Sequence, residues 1–421
     1  MSSLKLTPNS SGIQGTSNSL DPARRYCVVA AVLMLSLFLT ESAFALKTSG
    51  SAPYVPAPDD IVLIRDYPVF SNGLDKPDLQ SDHNNPDTAE QIMKIRQYIG
   101  HVINHADSQS LGLAQGLINA WQGTQLPLEL RVLRATIAQQ KHQFQAAIED
   151  LSFVLKRQPD HSQARLIRAA IYLATGNFAL AESDCRATAL IVDPIVTANC
   201  LAQALGPRGQ AKNMIDRLDA LLAVNLDIDP ALKREVLTTQ GDLFMVLNDL
   251  RLAYQAYAEA LEISPQHPYL QAQISDILIQ RGDYPLLLAS LAAQQNTLNK
   301  RVYQSIAEYK IHSELANSSG LNAVDQTPLE SVALLREELR LLDLSNTADT
   351  AKYWAAYYFY IEQNYQEALR FAVINWQTQQ SLSDARLLKM TATAAKDDDQ
   401  LSALQTWLKE RGVFDLSLQF N

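Results

Sequence analysis

From Asp87 to the C-terminus, apolar residues recur at three- and four-residue intervals, the spacing that lines one face of a helix. Strict alternation, the mark of a half-buried strand, is almost absent. The stretch LTTQGDLFMVLNDLRLAYQAYAEALEISP, residues 237–265, shows the pattern well. Two apolar-periodic runs are separated by Asn248-Asp249, and Pro265 stops the second run. Upstream of Asp87 the helical period is missing. SGSAPYVPAPDD, Asp66-Tyr67-Pro68, Ser71-Asn72-Gly73 and Asn84-Asn85-Pro86 are turn and extended signals, so residues 46–86 read as an extended, Pro-rich tether. One short apolar patch in it, Ile61-Val62-Leu63-Ile64, is placed to lie along the first helices.

The helical region repeats. Residues 128–161 end in VLKRQPDH and residues 162–195 contain ALIVDPI near their end. At a shift of 34, Arg134-Ala135 falls on Arg168-Ala169, His142-Gln143-Phe144 on Gly176-Asn177-Phe178, and Ala147 on Ala181. The same frame fits residues 234–267, with Gln240-Gly241, Phe244, Ala253, Tyr257, Ala260 and Pro265. It fits residues 268–301, with Leu278, Arg281-Gly282-Asp283-Tyr284 and Leu291, and residues 349–382, with Ala355-Ala356, Phe359, Gln363-Asn364-Tyr365, Ala368 and Ala372. Looser copies cover 95–127, 196–230, 299–343 and 383–416.

This frame resembles the tetratricopeptide repeat (TPR). A small residue stands at position 8, a large apolar one at 11, a glycine-like turn near 15, alanine at 20, an aromatic at 24, alanine at 27 and proline at 32. Small residues at 8 and 20 let the two helices of a pair approach, and the larger ones at 11 and 24 fill the seams. The expectation is an all-α, TPR-type α-solenoid of stacked antiparallel helix pairs over residues 87–421, about eight or nine pairs in all.

Composition sets the class of partner. Of 421 residues, 47% are apolar and 19% charged, a globular balance, and the net charge of −10 comes without a basic stripe, which excludes a nucleic-acid partner. Arg24-Arg25, the apolar run Tyr26–Leu39 and Ala43-Phe44-Ala45 are the three parts of a secretory signal over residues 1–45. The run is shorter than the roughly 20 residues that cross a bilayer, although an uncleaved membrane anchor is the alternative. Tyr26-Cys27-Val28 fits the twin-arginine continuation poorly, and Cys27 precedes the apolar run, where no lipobox uses it. The chain also resembles exported bacterial TPR proteins with a PAPDD-type start and a WLKERG-type end, a likeness that supplies no activity.

Chemistry is sparse. His101 and His105 share a helix face, but Val102 stands where a zinc protease needs glutamate, and no third ligand follows. Asp397-Asp398-Asp399 lacks the glycine and distal glutamate of a calcium loop. There is no GxSxG elbow, no GxxxxGK[ST] loop and no GxGxxG after a strand. The reading is therefore no catalytic residues, no metal and no cofactor.

Binding is the better expectation. In peptide-binding TPRs the first helix of each pair lines a concave groove, and the carboxylate-clamp type needs Lys and Asn at positions 5 and 9. Those positions here hold Val132 and Thr136, Leu166 and Ala170, Thr238 and Asp242, and Ala272 and Asp276, so the clamp is absent. In YWAAYYFY, Tyr353, Trp354, Tyr357 and Tyr360 fall on groove positions and are the expected partner-binding anchors, with Phe359 in the seam. The alternative is that a C-terminal layer folds over them. Cys185 and Cys200 lie equidistant from the turn at Asp193-Pro194, at the same height on neighbouring helices. That placement suits a disulfide, two buried thiols being the other reading.

The functional expectation is a non-catalytic periplasmic scaffold or assembly factor that holds another envelope protein in its groove. The alternatives are an enzyme or enzyme subunit with chemistry in the irregular pairs, and a membrane-tethered scaffold. The sequence leaves partner identity and oligomeric state open.

Overall fold

The structure, a computed structural model, describes residues 86–105, 108–122, 125–319, 329–344 and 347–420. The expected signal segment 1–45 lies outside the described residues. So does the extended segment 46–86 with its apolar patch, apart from Pro86, which opens the first helix. Among the described residues there are 18 α-helices and no strand. In chain order they are α1 (Pro86–His105), α2 (Ser108–Asn119), α3 (Leu128–Gln140), α4 (Phe144–Arg157), α5 (Ser162–Ala174), α6 (Phe178–Arg186), α7 (Pro194–Leu205), α8 (Ala211–Val224) and α9 (Pro230–Val246). There follow α10 (Leu250–Ile263), α11 (Pro268–Gln280), α12 (Tyr284–Leu291), α13 (Leu298–Ser319), α14 (Glu330–Asp343), α15 (Thr347–Tyr360), α16 (Tyr365–Thr378), α17 (Leu382–Ala395) and α18 (Asp398–Arg411). Consecutive helices pack as antiparallel pairs and each pair stacks on the next. None of these helices is long and apolar enough to cross a membrane.

Local chemistry sets the helix ends. Pro194, Pro230 and Pro268 each open a helix, where a missing N–H is harmless. Asp193, Asp229 and His267 just before them accept hydrogen bonds from the first free amides. Within the pairs, His142, Gly176, Asn248 and Gly282 all take positive φ, between 55° and 69°, at the same place in the 34-residue frame. A left-handed residue there ends the first helix of each pair. Asp397, Asp398 and Asp399 cap and open α18, where carboxylates face the positive end of the helix dipole.

The repeat is visible in the packing. Ala135, Ala147, Ala169, Ala181 and Ala253 are buried in their pairs. At Gly241 an added Cβ would sit 2.4 Å from Tyr257 Cε1, so only glycine admits this ring. An ion-pair pattern repeats at the same interval. Arg134 grips Asp150 through Nε and Nη2, both at 2.6 Å, with Arg131 Nη1 at 3.0 Å. One repeat later, Arg168 grips Asp184 at 2.8 and 2.7 Å, with Arg165 Nη1 at 3.3 Å. Both carboxylates are buried, and bidentate guanidinium contacts compensate them. Cys185 on α6 and Cys200 on α7 are joined by a disulfide, with their Cα atoms 5.5 Å apart.

The α15–α16 pair departs from the frame, and the departure relocates the expected aromatic anchors. The connections α3–α4, α5–α6, α9–α10 and α11–α12 each hold three residues, whereas Ile361–Asn364 holds four. In the regular turns the closing amide spans five residues, as from Asp249 N to Phe244 O and from Asp283 N to Leu278 O. Here Asn364 N reaches back six, to Tyr358 O. One extra residue turns α15 by about 100° relative to the frame. Tyr358 therefore takes the seam position expected for Phe359, and Ala355 that of Ala356. Trp354, 6% exposed, lies in the core in a three-ring cluster with Tyr358 (5.5 Å) and Phe371 (5.6 Å). Tyr357, 1% exposed, donates its hydroxyl to Glu362 at 2.7 Å. Trp354 and Tyr357 are thus core residues rather than the exposed groove anchors the frame predicts.

The solenoid also closes on itself. Gln380 N, just before α17, donates to Ala174 O at the end of α5 (3.0 Å), and Phe414 N donates to Pro207 O at 2.7 Å. Arg411 on α18 donates to Asn177 Oδ1 across 234 residues of sequence. Trp407 lies so close over Gly176 that a Cβ there would be 2.3 Å from its Cζ2. The pairs from α5 to α18 thus form a ring, with α1–α4 continuing beyond it.

Candidate functional site

The first helices of the ring's pairs face one another across its interior. Two carboxylates there carry a motif in the repeat frame. Asp242 on α9 accepts from the hydroxyls of Tyr257 (2.8 Å) and Tyr269 (2.6 Å). Asp276 on α11 accepts from Tyr303 on α13 at 2.6 Å. Each aspartate thus meets a tyrosine at the start of the next pair's first helix, and both the aspartates and these tyrosines are 34 residues apart in the sequence. The aspartates occupy groove positions of the frame, and the matching 34-residue spacing of Tyr269 and Tyr303 is the sequence signal that pairs them.

Opposite stand Lys352 and Tyr353 on α15, Tyr360 at its end, and Arg386 on α17. Burial pushes the Asp276 carboxyl up to about 6, against the opposing pull of the Tyr303 hydroxyl, Lys352 and Arg386. Burial first, then the charge of Asp276, lifts the Tyr303 hydroxyl well above its ordinary value. The Tyr360 hydroxyl is also raised, again by burial first, and contacts Met390 Sδ at 3.4 Å. Lys352 is held in its charged form by Tyr353, then by Asp384 and Asp276. It is solvent-accessible while within electrostatic reach of carboxylates on α11 and α17, and its ammonium lies 4.9 Å from the Tyr353 ring. The hydrogen bond from Tyr303 to Asp276 joins α13 to α11, and Lys352 on α15 and Arg386 on α17 act on that carboxylate electrostatically.

Where α17 closes on the earlier pairs, the channel widens to a pocket of about 230 Å³. Leu173, Phe178 and Val246 give it an apolar wall, and Thr239, Gln273 and Arg386 a hydrogen-bonding one. Of the four expected anchors, only Tyr353 and Tyr360 retain partial exposure, beside this channel. His101 is exposed on α1, and the His105 side chain lies outside the described residues. Among the described residues no group of three or more His, Cys, Asp or Glu side chains is placed to hold a metal ion.

A ring of stacked antiparallel helix pairs around a polar channel defines an all-α repeat solenoid. Residues 132–191 match the family described as Tetratricopeptide repeat, and the described residues have an all-α, TPR-type solenoid fold. No curated protein matches the chain. Among solved structures it is similar to the TPR domain of P58(IPK), at 17% identity over 73% of this chain and 99% of that one, with a TM-score of 0.23. It is also similar to yeast Tom70, at 11% identity over 79% of this chain and 72% of that one, with a TM-score of 0.31.

Proposed function

We propose that this protein is a non-catalytic periplasmic scaffold or assembly factor that holds an extended segment of another envelope protein in the channel. The observation that carries the reading is the two-sided lining of the pocket at the ring's closure. An apolar wall accepts side chains, and facing amide, hydroxyl and guanidinium groups satisfy the backbone of a strand that has no partner of its own. The signal-like N-terminus and the Cys185–Cys200 disulfide support an oxidising compartment.

A photo-crosslinking amino acid placed at Ser383, exposed at the pocket, and at Glu149, exposed on the outer helix α4, tests the reading in cells. Ser383 is expected to capture a discrete envelope protein from the periplasmic fraction and Glu149 to capture none. Capture of the same proteins from both positions, or of nothing from Ser383, would overturn it.

A further inference from the structure

Beyond α18 the chain turns at Gly412, φ +63°, and runs back over α17 as a short segment, 413–420. Its fixings are those of a docked peptide. Asp415, 3% exposed, accepts from Arg386 Nη2 at 2.5 Å, and Arg386 Nε donates to Ser417 Oγ at 2.8 Å. Lys389 Nζ donates to the backbone carbonyls of Ser417 (3.0 Å) and Gln419 (2.6 Å) and lies 5.1 Å from the Phe420 ring. Leu418 is buried, and the 3₁₀ turn Leu416–Leu418 touches α9 as well as α17. The same Arg386 lines the channel pocket and acts electrostatically on Asp276. One helix face thus reads a carboxylate, a hydroxyl, two backbone carbonyls and one apolar side chain.

The segment is held incompletely. Leu416 is 47% exposed, so this apolar side chain gains little from docking. Its strongest contacts are side-chain hydrogen bonds from Arg386 and Lys389, two of them to carbonyls that any peptide offers.

We propose that Arg386 and Lys389 form a peptide-reading edge of the channel, occupied in cis by the chain's own segment Asp415–Phe420. A partner segment with an acidic residue, a hydroxyl two positions on and an apolar residue after that displaces it. The inference rests on the channel as the binding site and adds how that site is gated and what it reads. Tethering gives the cis segment an effective concentration in the millimolar range, so a free peptide competes poorly until the segment is released.

The test uses the full chain carrying Asp415→Lys, which sets a cation against Arg386, and a fluorescent peptide of residues 413–421 followed by anisotropy. The peptide is expected to bind the variant at least about 100-fold more tightly than the native chain. Adding Arg386→Ala, or placing the lysine in the peptide instead, is expected to weaken binding at least tenfold. A chain ending at Phe414, which keeps the bond from Phe414 N to Pro207 O, serves as a second opened form. The proposal is overturned if neither opened form binds the peptide while keeping its helical circular dichroism, or if native and opened chains bind it equally. It is also overturned if both opened forms lose their helix, because the segment is then core and not a ligand. Failure here with capture at Ser383 intact removes the gating and leaves the channel. Loss of capture at Ser383 with peptide binding intact removes the channel reading instead.

Discussion

Gly176 and Gly282 form a matched pair that isolates the ring closure. Both sit at the same repeat position with nearly the same backbone, φ +68° and +69°. An added Cβ at Gly282 meets nothing within 4 Å, whereas at Gly176 it meets Trp407 Cζ2 at 2.3 Å. Gly282→Ala therefore measures the left-handed backbone alone, about 1 kcal/mol. His142, Asn248 and Gln363 adopt the same conformation, so the position tolerates a side chain. Gly176→Ala adds the displacement of Trp407. That indole donates to Gln380 Oε1 at 3.1 Å and packs edge-on against Trp376 at 4.9 Å. Losing one hydrogen bond and one aromatic pair adds about 2 kcal/mol, for a total of about 3. Urea unfolding followed by circular dichroism and indole fluorescence reads both variants. In a Trp407→Ala background the excess at position 176 is expected to vanish. Equal losses at the two glycines, within about 0.5 kcal/mol, would refute the contact between the third and last pairs.

Two further outcomes follow from the channel and the disulfide. Asp276 has a raised carboxyl, about 6 against an ordinary 3.8, so its stabilising contribution is full below pH 3.8 and is lost as pH rises through 6. Asp276→Asn is accordingly expected to raise the melting temperature at pH 8 and to change it little at pH 3.5, as scanning calorimetry will show. Replacing Cys185 and Cys200 by serine opens a loop closed over a separation of 15 residues and is expected to cost about 3 kcal/mol. Alkylation of unreduced protein, read by intact mass, is expected to leave both thiols unmodified.

The fold class was legible because each pair writes its own packing locally. Ala135, Ala147, Ala169 and Ala181 mark close helix approach, and Pro265 marks the end of α10 at Ile263. What escaped sequence reading is of two kinds. The extra residue in Ile361–Asn364 changes no composition and no period, yet it rotates α15 and carries Trp354 and Tyr357 from groove to core. The closure joins Asn177 to Arg411 and Gly176 to Trp407, contacts that span more than 230 residues and leave no periodic trace. The channel lay between these extremes. Asp242 and Asp276 are visible on its wall, but Asp276 also feels Lys352 and Arg386, which belong to helices 76 and 110 residues further along the chain.

The closure also changes how the array comes apart. An open solenoid behaves as a one-dimensional chain of units whose two ends fray first, because each terminal repeat has a single neighbour. In this molecule the last pair has a second neighbour in α5 and α6, so no unit between α5 and α18 is terminal. Among the described residues, only the side of α1 and α2 has no second neighbour. Loss of structure therefore advances inward from one direction and halts at the ring. Past that point the remaining pairs give way together once Trp407 and Phe414 have left their seats on Gly176 and Gly209.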